Sequence, residues 1–329
     1  MQKQTAWRYN TLYILSWYLL STILSIYNKT LMGKEHYNLN LPLLMSAVHS
    51  GIHSIISRIL IKHYNHTIKQ YSMFDYITKV IPCGIAAAMD ISCANASLVL
   101  ITLSFYTVIK SSTPVWVLLF SFMFGFEKPT LNLIAVISLI VVGVSLTVDG
   151  ESHYNTHGFI LVLVAAIASG LRWNLTQFLM KSNDKQQQQS PLATMYHLSP
   201  IMFITMLSLS LYIEKPFQHH QNASSYLDFV FKALISLSIM AVGGILAFMM
   251  TLSELYLIKG TSTVTLSVAG ISKEILVITL SVFIYGDILT TKTYLGLFIS
   301  ILGIAGYNYY KYSNSKVQER SNASIKKTD

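Results

Sequence analysis

Charged residues are scarce in this sequence. Asp, Glu, Lys and Arg together make up 11% of its 329 residues, whereas soluble globular domains carry roughly 25%. So few charges cannot cover a protein surface that faces water along the whole chain. Because hydrophobic residues make up 53% of the sequence, the scarcity excludes an ordinary soluble protein and indicates that the lipid bilayer is the solvent.

Cysteine and recognisable catalytic motifs are scarce as well. The two cysteines, Cys83 and Cys93, lie in apolar stretches and form neither a disulfide framework nor a metal-ligand spacing. His49 and His53 share one helix face, but no third ligand accompanies them, so packing or contact with water is favoured over metal binding. No nucleophile motif occurs in an apolar stretch. The sequence therefore predicts a protein that is not an enzyme and holds no metal or cofactor.

Long apolar stretches make up most of the chain. A membrane-spanning helix needs about 20 mainly apolar residues. The candidate spans lie near residues 10–27, 41–61, 76–95, 100–124, 131–149, 158–180, 192–213, 233–257, 262–285 and 293–312. We therefore predict an all-α polytopic membrane protein with ten transmembrane helices.

The distribution of basic residues predicts the orientation of these spans. With the N-terminus in the cytosol, most of the 23 Lys and Arg residues fall in cytosolic segments, as the positive-inside rule requires. Both termini are then cytosolic, and the net charge of +9 needs no nucleic-acid partner. The loop 214–232 lies on the far side and carries the sequon Asn222-Ala223-Ser224, a glycosylation candidate if that side is a secretory lumen.

A polar, low-complexity segment divides the chain. Residues 182–191, SNDKQQQQSP, are typical of a flexible linker. Residues 1–181 before it hold the earlier spans, residues 192–312 hold the remaining four helices, and residues 313–329 form a basic cytosolic tail. We expect these segments to build a single transport domain.

Two segments resemble each other in a way that indicates an internal repeat. SFMFGFEKPTLNLIAVISLIVVGV, residues 121–144, and SVFIYGDILTTKTYLGLFISILGI, residues 281–304, both run from a span through an aromatic residue and glycine to an acidic turn and a second span. Because each repeat, roughly 10–149 and 158–312, holds five spans, the two copies must insert in opposite directions. Inverted five-helix repeats are typical of secondary transporters, whose binding site lies at the midplane between the halves.

Ionisable side chains inside the spans are the main candidates for a site. Burial of each costs roughly 2.5–3.5 kcal/mol on insertion scales, so they usually face the interior of the bundle or a wet cavity. Lys110 and Lys273 occupy the fourth and ninth spans, which are equivalent in the two halves, and each lies next to small polar residues. A cation from each half facing a central cavity suits an anionic substrate, and phosphate or diphosphate groups fit best.

Each of these residues also has a structural interpretation. Lys110 can contact substrate, form a structural ion pair or extend toward the membrane surface. Glu274 can pair with Arg172 or Lys110 and act as a gate, while Arg172 can instead pair with Asp90 or line the cavity. Asp90 is expected to orient helices or balance a cation.

Further candidates surround these charges. The residues proposed to bind substrate are Lys110, Lys273, Tyr106, Thr107, Ser111, Asn95, Ser267 and Gly270. Pro114 lies inside the fourth span, where it leaves the carbonyl of Lys110 without its helical partner and bends the helix. Gly243 and Gly244 in the eighth span are candidates for a hinge or for close packing.

Three strings resemble one known family. NASLVLITLSFYTVIKSSTPVWVLLFSFMFGFEKP, residues 95–129, TLSVAGISKE, residues 265–274, and YNYYK, residues 307–311, resemble the triose-phosphate and nucleotide-sugar translocators of the drug/metabolite transporter superfamily. The resemblance extends from residue 13 to residue 311. Residues 90–112, DISCANASLVLITLSFYTVIKSS, are most similar to the branch of GDP-fucose-type Golgi carriers.

The resemblance implies a fold and a mode of action. It implies ten helices in two inverted halves, and alternating access by exchange of substrates. Plastid members of the family hold phosphate with a Lys-Arg pair on the ninth helix, and the matching positions here are Lys273 and Glu274. The lysine is kept and the arginine is replaced by an acid, which disfavours triose phosphate and leaves a nucleotide sugar or another phosphorylated solute open.

Two functions remain open from the sequence. The first is an antiporter that moves a nucleotide sugar into a lumen and returns a nucleoside monophosphate or phosphate. The second is a non-transporting membrane partner that keeps the fold, which Glu274 favours because it weakens the phosphate site. Lys326 and Lys327 resemble a dilysine signal that the coat machinery reads, so we expect a location in the endoplasmic reticulum or Golgi. Both a monomer and a homodimer remain open.

Overall fold

The structure is a computed structural model, and it describes most of the chain. The described residues are 2–32, 39, 41–64, 68, 70–125, 129–150, 154–180, 190–216, 226–260, 276–284, 286 and 290–325. Within these ranges the chain is almost entirely helical and contains no β-strand. An all-α protein, as predicted, is therefore confirmed for the described part of the chain.

The helices follow the predicted order of spans. They are α1 (Gln2–Met32), α2 (Pro42–His63), α3 (Met73–Leu100), α4 (Leu103–Met123), α5 (Leu131–Gly150), α6 (Thr156–Met180), α7 (Pro191–Ile213), α8 (Tyr226–Gly260), α9 (276–284) and α10 (Thr291–Ile325). The third and fourth predicted spans run nearly together, and only Ile101 and Thr102 separate α3 from α4. The last helix continues to Ile325, well past the predicted end at residue 312.

Several of these helices are suited to a membrane. Within the described residues, 6 helices are long and apolar enough to cross a bilayer: α2, α3, α4, α6, α7 and α8. A shorter apolar helix spans Leu131–Leu146 in α5. Large hydrophobic side chains such as Leu131 and Phe283 point outward, more than four-fifths exposed, as expected where lipid replaces water. The multi-pass membrane class is confirmed, and the count of ten spans stays a prediction.

The helices pack in antiparallel pairs that are distant in sequence. The main pairs are α1 with α8, α2 with α7, α3 with α6 and α5 with α10. Contacts of α2 with α8 and of α3 with α7 join these pairs into one bundle. As a result, α3, α4 and α6 meet at one place in its interior, because α4 packs against α6 along both of its halves.

Glycines allow α5 and α10 to approach closely. A Cβ atom added at Gly143 would lie 2.5 Å from the backbone nitrogen of Ser300, and one added at Gly303 would lie 2.7 Å from the Ile140 side chain. Real Cβ atoms do not approach other atoms so closely, so only glycine fits at both positions. Small residues that bring helix backbones together are the usual means of helix association in membranes, where lipid supplies no hydrophobic driving force.

A carboxylate directly after α7 caps the start of α2. The two carboxylate oxygens of Glu214 accept hydrogen bonds from the backbone nitrogens of Leu43 at 2.6 Å and Leu44 at 2.9 Å. Ser210 donates a further hydrogen bond of 2.7 Å to the same carboxylate. The first backbone N–H groups of a helix have no helical acceptor, and a negative charge there also interacts favourably with the helix dipole. Glu214 therefore joins two helices that lie far apart in sequence.

Replacing Glu214 with alanine should destabilise the bundle. We expect a loss of about 1–2 kcal/mol in the free energy of unfolding, because two N–H groups of α2 lose their acceptor. Thermal unfolding of the purified protein in detergent measures the effect. The control is Tyr212→Phe. Tyr212 lies two residues before Glu214 and its side chain is exposed, so this change should leave the unfolding temperature unchanged. Equal unfolding temperatures for Glu214→Ala and the wild type would contradict the capping role.

Candidate functional site

Three ionisable side chains meet inside the bundle. Asp90 on α3 forms ion pairs with Lys110 on α4 and with Arg172 on α6. One carboxylate oxygen contacts the Lys110 ammonium, and the other accepts a hydrogen bond of 3.1 Å from Nε of Arg172. Lys110 also donates to the backbone carbonyl of Ala165 on α6 at 3.0 Å. The sequence left several partners open for each residue, and the structure brings these three together.

The anion and the cations differ in accessibility. The side chain of Asp90 is 6% exposed, whereas that of Lys110 is 21% exposed and that of Arg172 is 26% exposed. The carboxylate is thus more deeply buried than the two cations with which it pairs. The guanidinium of Arg172 also lies 4.9 Å from the ring centroid of Trp173, a cation–π contact that helps to hold its position. The positive groups are therefore the more accessible part of this cluster.

Helix α4 is interrupted directly after Lys110. The segments Leu103–Lys110 and Thr113–Met123 are helical, and Ser111 and Ser112 form a turn between them. Pro114 cannot donate to the carbonyl of Lys110, and the Thr113 hydroxyl takes that place with a hydrogen bond of 2.7 Å. Breaks of this kind occur at membrane depth where the backbone is buried in protein or lines a cavity. The interruption therefore lies at the base of the Lys110 side chain.

The other candidates on α4 contribute less directly. Thr107 donates its hydroxyl to the carbonyl of Leu103 at 2.7 Å, and Ser111 donates to that of Val108 at 2.6 Å. Both hydroxyls are buried and occupied within their own helix. Tyr106 is partly buried and packs against two hydrophobic clusters of the core. In this conformation these residues shape α4.

Asn95 takes part in a hydrogen-bond network that joins α1, α2 and α3. Its side-chain nitrogen donates to the Ser46 hydroxyl at 2.8 Å, and its oxygen accepts from the Asn28 side chain at 3.3 Å. All three residues are buried. Asn95 thus connects helices here, and the structure does not bring it to the ion-pair cluster.

The glycine pair of α8 packs tightly against α2. A Cβ atom at Gly243 would lie 2.8 Å from Nε2 of His49, and one at Gly244 would lie 2.5 Å from Ile52. His49 is further held by a hydrogen bond to the backbone of Met240. The two glycines therefore provide close packing in this conformation, which was one of the two roles predicted for them.

Two residues of the site were missed in the sequence. The hydroxyl of Ser169 on α6 hydrogen-bonds Asp90, and Glu254 on α8 interacts electrostatically with Arg172. Serine is too common in membrane helices to mark a site. Glu254 is an acid within the predicted span 233–257, so the cost of a charge in lipid could have singled it out.

Several predicted residues lie outside the described part of the chain. These are Lys273, Glu274, Ser267, Gly270, Asn222, Lys326 and Lys327, together with most of the linker 182–191. Their proposed roles stay predictions. The described part of the site is therefore formed by side chains of α3, α4, α6 and α8.

Comparisons with known proteins agree on one family. The model of the Triose-phosphate Transporter family matches residues 9–308. A probable sugar phosphate/phosphate translocator of Arabidopsis thaliana is 37% identical and covers 91% of this chain and 72% of its own. A putative nucleotide-sugar transporter of Saccharomyces cerevisiae is 27% identical and covers 93% of this chain and 85% of its own.

The family match covers the site and two of the three similar strings in full, residues 95–129 and 265–274. Residues 9–308 contain α3, α4 and α6 complete, and so include Asp90, Lys110 and Arg172. The members of this family are transporters rather than enzymes, and the apolar helices of this chain agree with a multi-pass membrane protein. This chain belongs to the Triose-phosphate Transporter family.

Proposed function

We propose that the protein is an antiporter of phosphorylated solutes. It exchanges a nucleotide sugar, or a related sugar phosphate, for a nucleoside monophosphate or inorganic phosphate. The observation that carries this proposal is the pair of partly accessible cations, Lys110 and Arg172, in the interior of an apolar bundle. Placing such charges in a membrane helix costs roughly 2.5–3.5 kcal/mol each on insertion scales, and a phosphate-binding role accounts for that cost.

The chemistry of the cations suits a phosphate group. The guanidinium of Arg172 offers several N–H donors in one plane, and the ammonium of Lys110 offers three donors from a single point. Charge-assisted hydrogen bonds to phosphate oxygens are roughly twice as strong as neutral ones. Lys273, predicted to contribute from the second half, adds a third cation to this proposed site.

The relatives support two kinds of solute. The Arabidopsis relatives carry sugar phosphate/phosphate translocator in their names, and the yeast relative carries nucleotide-sugar transporter. The acid Glu274 beside Lys273, where plastid carriers have arginine, favours a solute that needs fewer phosphate ligands at that point. We therefore place a nucleotide sugar first and a sugar phosphate second.

We further propose that the helices form two inverted halves, α1–α5 and α6–α10. A two-fold axis between the halves exchanges α1 with α6, α2 with α7, α3 with α8, α4 with α9 and α5 with α10. This exchange converts the α3–α6 pair into α8–α1, and the α2–α8 pair into α7–α3. The α2–α7 and α5–α10 pairs map onto themselves, and all of these pairs are packed. Gly143 and Gly303 are also equivalent in the repeated segments, and each packs against the helix of the other. Both observations support a pseudo-two-fold axis between the halves.

A non-transporting membrane partner is the second candidate. It is favoured by the ion pairs themselves, because Asp90 contacts both Lys110 and Arg172. These contacts join three helices, and a purely structural role of that kind would account for the buried charges. In that case the cations have no ligand other than the protein, and no phosphorylated solute crosses the membrane.

Exchange in liposomes tests the proposal. The purified protein is reconstituted in vesicles preloaded with GMP, UMP or inorganic phosphate, and uptake of labelled nucleotide sugars and sugar phosphates is measured. We expect uptake that requires the internal nucleotide or phosphate and that disappears in Lys273→Ala. Folded protein without exchange of any solute in the panel would instead support the non-transporting partner.

The proposed location is an early secretory membrane. It rests on the dilysine Lys326-Lys327. The asymmetry of basic residues predicts that this tail faces the cytosol, where the coat machinery would read it. Replacing both lysines with serine in a fluorescently labelled protein should shift it from the endoplasmic reticulum and early Golgi to later compartments. An unchanged location in that variant would remove the support for retrieval by the coat machinery.

A further inference from the structure

We propose that Asp90 is an internal competitor for the solute: it pairs with Lys110 and Arg172, and a phosphate group displaces it from Lys110 on binding. This inference rests on the proposed function, since it assigns a role to a residue of the same site. It differs from the phosphate-binding role of the cations because Asp90 itself would repel the solute.

The geometry of the carboxylate fits a competitor. Each of its oxygens contacts a different cation, so one carboxylate holds two positive groups on two helices. Pairs of arginine with a carboxylate are frequently bidentate. Here the carboxylate is divided between Lys110 and Arg172, and an incoming phosphate can replace it at Lys110 while the bond to Arg172 remains.

The difference in burial between Asp90 and Lys110 fits displacement of the carboxylate by a solute. Asp90 is 6% exposed and Lys110 is 21% exposed, so the cation is the group that an incoming solute would contact first. The Ser169 hydroxyl also hydrogen-bonds Asp90. After displacement the carboxylate thus keeps two partners, Ser169 and Arg172, and does not become an unpaired buried charge, which would be strongly unfavourable.

The flexible side chain of lysine makes the change of partner simple. The Lys110 ammonium is carried on a flexible four-carbon stem, and Lys110 is the last residue before the interruption of α4 at Ser111 and Ser112. A small rotation can move the ammonium from Asp90 to a phosphate oxygen. Because Asp90 holds α3 to α4 through Lys110, its release also loosens one contact between helices. Solute binding would thereby be coupled to a change in helix packing.

Substitution of Asp90 by asparagine provides the test. The amide keeps the size of the carboxylate and one acceptor oxygen, but it removes the negative charge that competes with phosphate. We expect the dissociation constants for inorganic phosphate and GMP to fall at least tenfold, and the exchange rate at saturating solute to fall as well. Calorimetry on the purified protein and the liposome assay measure the two effects.

A matched control and a second measurement complete the test. Asp75→Asn alters an exposed carboxylate that pairs with Lys79 outside the site, and it should change neither affinity nor rate. In wild-type protein labelled with ¹³C-aspartate, inorganic phosphate should shift one carboxylate band in the infrared difference spectrum, which keeps the proposal testable if Asp90→Asn does not fold.

The outcomes separate this inference from the proposed function. Tighter binding with slower exchange in Asp90→Asn, or a shifted band, supports the competitor. Unchanged or weaker binding in the folded variant, or no shifted band while the wild type binds phosphate, overturns it and leaves the antiporter intact. A wild-type protein that binds neither inorganic phosphate nor GMP overturns both.

Discussion

Lys110→Met is expected to reduce exchange of phosphorylated solutes by about 10-fold to 100-fold. A net charge-assisted hydrogen bond contributes about 1.5–3 kcal/mol, and each 1.4 kcal/mol corresponds to a factor of ten. Methionine keeps the length and the apolar stem of lysine and removes only the ammonium. Initial uptake into preloaded liposomes measures the loss. Lys110→Arg keeps the charge but not the shape, so we expect intermediate exchange.

Two further variants separate contact with the solute from a structural ion pair. Lys79→Met removes an exposed lysine that pairs with Asp75 and should exchange like the wild type. Lys110→Met alone leaves the buried Asp90 carboxylate with one cation fewer. The double variant Lys110→Met/Asp90→Asn also removes that negative charge, so neither partner of the ion pair remains. If the ion pair is only structural, the double variant regains exchange. If Lys110 binds the solute, stability returns and exchange does not.

Gly143→Leu is expected to disrupt the packing of α5 on α10. The first added carbon already meets the backbone nitrogen of Ser300 at 2.5 Å and the carbonyl of Gly296 at 2.7 Å. Backbone atoms cannot rotate away as a side chain can, so the helices must separate along their whole contact. We expect a loss of at least about 3 kcal/mol, at the upper end of overpacking effects, seen as a lower unfolding temperature and poor recovery of folded protein.

The same interface contains the control for this prediction. A Cβ atom at Gly306 would lie 3.5 Å from the Val136 side chain, which is ordinary van der Waals contact. Gly306→Ala should therefore be tolerated, and it also removes the entropy that glycine carries in the unfolded chain. Equal stability of Gly143→Leu and Gly306→Ala would show that α5 and α10 do not pack as described.

Much of the helical organisation was predictable because its causes are local. The length of an apolar stretch predicts a membrane helix, and α2 and α7 begin within a residue or so of the predicted spans. The interruption of α4 was predictable from Pro114, since proline lacks the N–H group that the carbonyl of Lys110 requires. That Thr113 would supply the replacement donor was not visible from the pattern of hydrophobicity.

The site was only partly predictable because its partners come from different helices. The cost of charge in lipid was enough to single out Asp90, Lys110 and Arg172. The choice between Asp90 and Glu274 as the partner of Arg172 depends on which helix faces which. Glu214 escaped attention because its partners are backbone N–H groups of α2, and such groups carry no residue-specific signal.

The sequence by itself determined the solvent, the helical class and the charges that need partners inside the bilayer. These follow from composition and from the spacing of apolar residues, both of which act along the chain. Only the tertiary structure decided that one carboxylate on α3 holds cations from α4 and α6, and that Gly143 lies against Ser300. The reason is physical: ion pairs and close contacts between helices are set by distances between residues far apart in sequence, and periodicity within a single helix does not determine them.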